Sequence, residues 1–311
     1  MIRPHATLLF CASLLAATAC THAASSPDAL AKAVQAAFGH GDFAAARALA
    51  DLDATPGELQ FFYFDQVREC ASESRCVVAT APIDAEFRAS LQAQAEQEHG
   101  EVPPVEGLVV VESKANDGSS SGSMKMPYAK VGGEYRLVTL RLPPAEIARR
   151  QGITAESQLK QMLAGGIYDN ASGSRRTDWE AVATRLPADG GEAGAALVAQ
   201  TRAMAAAVDA QDPDAAMRSG GQMAALVFAD KGYDGQPVAL DARKRKLHVQ
   251  SLRMLRDVQV RGGYQLGDDA ALAIEARDGA GWVQRGAVLM SRNGDSWDLS
   301  GRELVGFPAA Q

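Results

Sequence analysis

The order of segments in this 311-residue chain predicts an α+β protein of two tandem domains, each with helices packed on a curved antiparallel sheet. Three observations carry that expectation. Each half begins with alanine-rich helical segments and ends with alternating apolar and polar runs. Glycine turns separate those runs, as at Gly132-Gly133, Asp278-Gly279 and Asn293-Gly294. A short pattern also recurs: Val34, Phe38, Asp42, Ala45 and Ala46 are matched by Met204, Val208, Asp212, Ala215 and Ala216.

The start of the chain reads as an export signal. Arg3 precedes a run of about ten apolar residues that ends in small side chains at Ala17 and Ala19. That run is too short to cross a bilayer, which takes roughly 20 residues. Residues 1–19 are therefore expected to be a signal peptide and 20–28 a polar tether. Residues 29–170 and 171–311 are expected to be the two α+β domains. Ala17-Thr18-Ala19-Cys20 resembles the lipobox of bacterial lipoproteins, although Ala17 stands where leucine is commonest. The resemblance implies a diacylated Cys20 at the mature N-terminus. With the neutral Thr21 behind it, it further implies retention at the outer membrane, facing the periplasm. Ordinary signal-peptidase cleavage after Ala19 or Ala23 is the alternative, and leaves a soluble periplasmic chain.

Cysteine usage bears on that choice. Cys11 is removed with the signal, and an oxidising compartment makes a disulfide the default state of Cys70 and Cys76. A loop this short contributes about 2–3 kcal/mol. Cys20 is then an odd thiol, which lipidation would explain. The Cys70–Cys76 spacing lacks the Cys-x-x-Cys form of a redox dithiol and the further ligands of a zinc site.

Charge excludes some partners. A formal net charge of −7 opposes generic nucleic-acid binding, as does the envelope address. Hydrophobic residues at 47% and charged residues at 22% are ordinary for a globular protein.

Taken in order, residues 29–49 predict two short helices around Gly39-His40-Gly41-Asp42. Thr55-Pro56-Gly57-Glu58 has the form of a helix start, with Thr55 as cap and Glu58 closing a capping box. Leu59, Phe61, Phe62, Phe64 and Val67 form the densest apolar cluster of the first half. Residues 84–98 read as a polar helix ended by Gly100 and two prolines. Strands follow at 107–111, 124–131 and 134–140, with 116–123 as a loop, and then short helices after Pro143-Pro144. The second half repeats this order. Helices fall at 197–208, after Asp212-Pro213, at 222–229 and at 243–256, and strands at 258–261, 270–277, 282–290 and 296–299.

Gly294-Asp295-Ser296-Trp297-Asp298-Leu299 echoes Gly133-Glu134-Tyr135-Arg136-Leu137 near the end of each half. With that echo, the halves resemble the nuclear transport factor 2-like, cystatin-like roll, over most of 195–305 and less of 27–145. The extra helix at 84–98 departs from the pattern. The resemblance implies helices packed into a curved sheet that often encloses an apolar pocket, and a diverged duplication.

No catalytic set emerges. Gly118-Ser119-Ser120-Ser121-Gly122 matches the Gly-x-Ser-x-Gly pattern of serine hydrolases, but that chemistry needs a strand-to-helix elbow and a histidine in reach. His22, His40, His99 and His248 form no metal-spaced pair. Asp230 to Asp241 loosely follows a calcium loop, with Gly232 and Asp241 in place of the expected ligands. No metal or other cofactor is expected. The remaining concentration of charge is Arg243-Lys244-Arg245-Lys246, extended by Arg253 and Arg256. It is either a solvated helix face, with Leu247, Leu252 and Leu255 turned inward, or a docking face for an acidic partner.

The expected function is therefore non-enzymatic: an envelope lipoprotein acting by protein binding, of which an immunity or inhibitor protein against a periplasmic toxin or hydrolase is one form. A periplasmic small-ligand carrier is the alternative, with an isomerase- or dehydratase-like enzyme behind it. Metabolic labelling with palmitate is expected to mark the wild-type chain and to be lost in Cys20→Ser; an unlabelled wild type rejects the anchor.

Overall fold

The computed structural model describes residues 24–169, 174–232 and 235–309. Residues 1–23, which include the leader, Cys20 and the first part of the tether, lie outside the described residues, as does Asp234. The fold is α+β, with two five-stranded sheets that are mainly antiparallel.

The first half opens with helices α1 (Pro27–His40) and α2 (Phe43–Ala48), the two-residue strand β1 (Ala50–Asp51) and helix α3 (Gly57–Ser72). A meander follows: β2 (Ser74–Ala81), β3 (Gly107–Ala115), β4 (Ser121–Val131) and β5 (Glu134–Val138). Helix α4 (Ala85–Glu98) is inserted between β2 and β3, and the sheet order is β1-β5-β4-β3-β2. Leu30, Val34 and Phe38 of α1, Phe61, Phe64 and Val67 of α3, and Val109 and Val111 of β3 share one core. The Tyr63 hydroxyl donates to the carbonyl of Ala46 at 2.6 Å, which fixes α2 on α3. Cys70 and Cys76 form a disulfide that joins the end of α3 to β2.

Helices α5 (Pro144–Gln151) and α6 (Ala155–Gly165) lead through a small hairpin, β6 (Ile167–Asp169) with β7 (Ser174–Arg176), to α7 (Trp179–Val182) and β8 (Thr184–Leu186). The second half then runs α8 (Gly191–Asp209), α9 (Pro213–Ser219), α10 (Gly221–Val227) and α11 (Leu240–Ser251). Its strands are β9 (Arg256–Leu266), β10 (Asp269–Arg277), β11 (Trp282–Asn293) and β12 (Ser296–Pro308), in the order β12-β11-β10-β9-β8.

Burial on both faces explains the unbroken apolar run of β10. Ala270, Leu272, Ile274 and Ala276 face the core under α8, whereas Ala271 and Ala273 face Leu159, Met162 and Leu163 of α6. Helix α6 thus packs on the second sheet, although sequence order placed it before the expected boundary at 170.

Both halves share the four-strand meander and a matching helix corner. Asp42 accepts from the N–H of Ala45 at 2.9 Å, and Asp212 from that of Ala215 at 3.0 Å. The residue before each cap, Gly41 or Gln211, is left-handed, and Ala46 and Ala216 are both fully buried. The fifth strands differ, since β1 adds in parallel to β5 whereas β8 adds antiparallel to β9.

Two local expectations are corrected. The N-cap of α3 is Pro56, and the buried Thr55 Oγ1 has no hydrogen-bond partner; the Thr55 carbonyl instead accepts from Gln60 Nε2 at 3.0 Å. The loop 116–123 is shorter than expected, because β3 and β4 pair out to Lys114 and Ser121.

Helix α11 joins the halves. Its Val249 and the following Leu252 enter the first-half core against α3, while Leu247 packs with Phe228 among the second-half helices. Gly279 approaches so closely that a Cβ there would lie 1.9 Å from the Ser251 carbonyl oxygen. Helix α5 adds a polar tie. Arg150 donates to the carbonyls of Glu98 at 3.0 Å and Gly306 at 3.3 Å, and the buried Glu146 holds Arg149 and Arg150 at 2.6 and 2.7 Å.

Hydrogen bonds from Arg149, and then Arg150, lower the Glu146 carboxyl from 4.5 to about 2, outweighing its burial. Because the folded value is depressed, the stabilisation is present above pH 4.5 and disappears as pH falls toward 2. Denaturation midpoints measured across that window should fall less steeply in Glu146→Gln, which should also be less stable than wild type at pH 7; parallel profiles would reject the clamp.

Candidate functional site: a pocket with two arginines at its mouth

Helices α8, α10 and α11 do not close completely over the second sheet. They leave an apolar cavity of about 270 Å³, lined by Leu197, Met204, Val227, Phe228, Met254, Leu255 and Leu299. Small residues create the space, since Thr201, Gly220 and Ala224 present little side chain there. Gly220 is required by packing: a Cβ would lie 2.3 Å from Met204 Cε and 2.4 Å from Ala224 Cβ. Gln200, from α8, donates to the Trp297 carbonyl and so fastens the helix to β12 on one side of the cavity.

Arg253 and Arg302 border this pocket and also line a polar cleft of about 310 Å³ between the halves. Glu58, Glu98, Arg150, Asp278 and Gln284 supply the rest of the cleft's polar lining. Arg253 follows α11 directly. Its guanidinium lies 4.4 Å from the centre of the Phe61 ring, and its Nε is 2.9 Å from Glu58 Oε2. Arg302 Nη1 donates to the Arg253 carbonyl at 3.0 Å. Among the described residues no carboxylate lies within ion-pair distance of Arg302; Glu58 and Asp278 act on it from further away. Arg302 is exposed at its surface, but the protein packed around its guanidinium, and then the charge of Arg253, hold it below the ordinary arginine range.

Asp278 is committed elsewhere. It accepts from the Trp282 N–H at 2.9 Å and from Gln284 Nε2 at 2.7 Å, closing the turn between β10 and β11. Burial pushes its carboxyl above the usual aspartate value despite those bonds.

Two further cavities exist. One of about 240 Å³ lies between α3, α4 and the first sheet, against Leu59, Phe87, Leu91 and Met126, with Phe62 at 51% exposure beside it. The other, of about 250 Å³, is bounded by Gly41, Phe43, Gln211, Lys244, Arg245 and His248. His248 stacks on Phe43 at 4.3 Å, and desolvation followed by the charge of Arg47 holds its imidazole below the ordinary histidine value.

The basic run 243–246 is divided by the fold. Arg243 leaves the expected docking face: it is buried, donates to the Phe228 carbonyl at 2.7 Å and pairs with Asp214 at 2.6 Å. Arg245 is half-buried and donates to Ser72 of the first half at 2.8 Å. Lys244 is exposed and Lys246 half-buried, so these two remain on the surface of the run. Arg256 pairs with Asp209 at 2.8 Å. Leu247, Leu252 and Leu255 are all turned inward, but toward three different clusters.

Ser120 sits in the tight turn between β3 and β4, where its carbonyl accepts from the Ala115 N–H at 2.9 Å, and no helix follows it. The segment from Asp230 closes on itself through backbone bonds, Gly232 N–H to the Gln236 carbonyl and Val238 N–H to the Asp230 carbonyl. Among the described residues no cluster of three metal-ligating side chains occurs, and no helix is long and apolar enough to cross a membrane.

With this geometry in view, comparison with known proteins identifies no relative: no family model, no curated protein and no solved structure matches the chain.

The arginine pair at 253 and 302 was missed in the sequence because its partners are remote. Arg302 lies beyond the strand expected at 296–299, in the longer β12, and only its approach to Arg253 and the pocket distinguishes it. Arg243→Ala should lower unfolding free energy by about 2–4 kcal/mol, because it removes a buried charge-assisted network and leaves the Phe228 carbonyl unpaired. Lys244→Glu should change it by less than about 0.5 kcal/mol. Urea denaturation checks both, and equal effects would contradict the division of this run.

Proposed function

We propose that this protein is a non-enzymatic, small-ligand-binding protein of the bacterial cell envelope, held at the outer membrane through a lipidated Cys20. The observation that carries the reading is the apolar cavity of about 270 Å³ in the second half, bordered by Arg253 and Arg302. An apolar chamber with a few convergent polar groups is the usual form of a small-molecule site. Its size suits a compact apolar group better than a large cofactor. The envelope address rests on the signal-like stretch Leu8–Cys20, and the oxidising compartment is consistent with the Cys70–Cys76 disulfide. In this reading the tether before α1 places the pocket near the membrane, where an apolar solute is met.

Protein docking is the second reading. The crevice that brings Lys244 and Arg245 beside His248, and the exposed Phe62 next to the cavity under α4, favour it. An acidic periplasmic protein would suit the former surface.

Calorimetric titration of the full chain with octanol and octanoate tests the ligand reading. Saturable binding is expected to at least one of them, and Thr201→Phe, which fills the chamber, should abolish it. No saturable binding to either, or binding unaffected by Thr201→Phe, would overturn it.

A further inference from the structure

Among the described residues, the mouth of the pocket holds two guanidiniums and one carboxylate within ion-pair distance of them. Arg302 Nη1 donates to the Arg253 backbone carbonyl, and both arginines line the apolar chamber as well as the polar cleft. Arg302 is exposed, so its guanidinium is open to an anion arriving from solvent, and the charge of Arg253 adds to the attraction. Asp278 acts on Arg302 only from a distance, its two oxygens being engaged by the Trp282 N–H and by Gln284. Glu58 lies 2.9 Å from Arg253 Nε, while Arg302 has no ion-pair partner among the described residues.

Glu58 comes from the other half of the molecule. It stands in the first turn of α3, and its side chain is 49% exposed. An ion pair so open to water is weak, and the carboxylate is free to turn into solvent when another anion takes its position. Glu58 therefore serves as an internal stand-in for a ligand headgroup: it shows that a carboxylate is accepted against Arg253. Leu255 lines both the cleft that holds Glu58 and the chamber, and Met254 and Leu299 continue the chamber's apolar surface for whatever is attached to the headgroup.

We propose, resting on the ligand-binding reading above, that the pocket takes an amphiphile with a single carboxylate, whose headgroup engages Arg302 and Arg253 and displaces Glu58. The apolar body occupies the chamber under α8 and α10. Guanidinium groups suit this task because their fixed N–H fork matches the two oxygens of a carboxylate. Displacement of Glu58 has a structural consequence. The ion pair between α3 and the end of α11 is released, while the apolar contact made by Val249 and Leu252 with the first-half core stays in place. Occupancy of the second half is thereby reported to the first.

The test is calorimetric titration of the full chain at low ionic strength with octanoate and octanol, which share a chain and differ in the headgroup. Octanoate is expected to bind at least about ten-fold more tightly than octanol. Arg302→Gln should bring octanoate down to the affinity of octanol without changing octanol itself. Glu58→Gln should raise octanoate affinity several-fold and leave octanol unchanged, an effect that loss of a merely structural residue would not produce. Equal affinities for the two compounds, with Arg302→Gln silent, would overturn the headgroup assignment while leaving the pocket reading intact. Octanoate affinity that is unchanged or lowered in Glu58→Gln would overturn the displacement. Absence of binding to either compound would remove the ligand-binding reading and this inference with it.

Discussion

Helix α11 has to serve three apolar clusters within and just beyond its length, and the rest of the molecule depends on that constraint. Leu247 packs among α8, α9 and α10, Val249 and Leu252 enter the first-half core, and Leu255 enters the core of the second sheet. A helix that buries one stripe needs only one neighbour. One that buries residues on several sides holds its neighbours in fixed relation. The close approach of Gly279 to the Ser251 carbonyl then leaves no freedom for the chain that leaves α11. Arg253 is delivered onto Phe61 and Glu58 of the first half as a result of this packing.

The polar cleft and the apolar pocket follow from the same arrangement. Helices α8, α10 and α11 leave a gap over the second sheet where Thr201, Gly220 and Ala224 present little side chain, and that gap is the chamber. The charged groups at the junction are not surplus surface charge. Arg150 is tied down through Glu146, Asp278 through its own turn, and Arg253 through Glu58, which leaves Arg302 with a single backbone bond. Polar groups that are satisfied in this way hold the architecture.

Much of the local structure was legible in the sequence. Asp42 and Asp212 announce matching helix corners, and the hairpin turns at Gly132-Gly133 and Asn293-Gly294 separate strands that pair as their alternation requires. The spacing of Cys70 and Cys76 points to the bridge that the fold contains. Other features were read less well for identifiable reasons. Thr55 has the residue type of a cap, but the cap position falls one residue later, on Pro56, and the buried Thr55 hydroxyl has no hydrogen-bond partner. Arg243 has the look of a surface cation because charge runs are usually solvated; its pairing with Asp214 is a contact between helices that no local window contains.

By itself, the sequence determined the α+β class, the order of elements, the turns, the disulfide partners and an expectation of where the protein works. These depend on residue type and on spacing along the chain, which periodicity and capping chemistry express directly. The tertiary structure decided that α6 packs on the second sheet, that α11 is shared between the halves, and that Glu58, Arg253 and Arg302 meet at a pocket mouth. Those outcomes depend on which apolar faces find each other across long separations in sequence. No residue carries that information alone, because the energy of burying a face is the same whichever partner covers it.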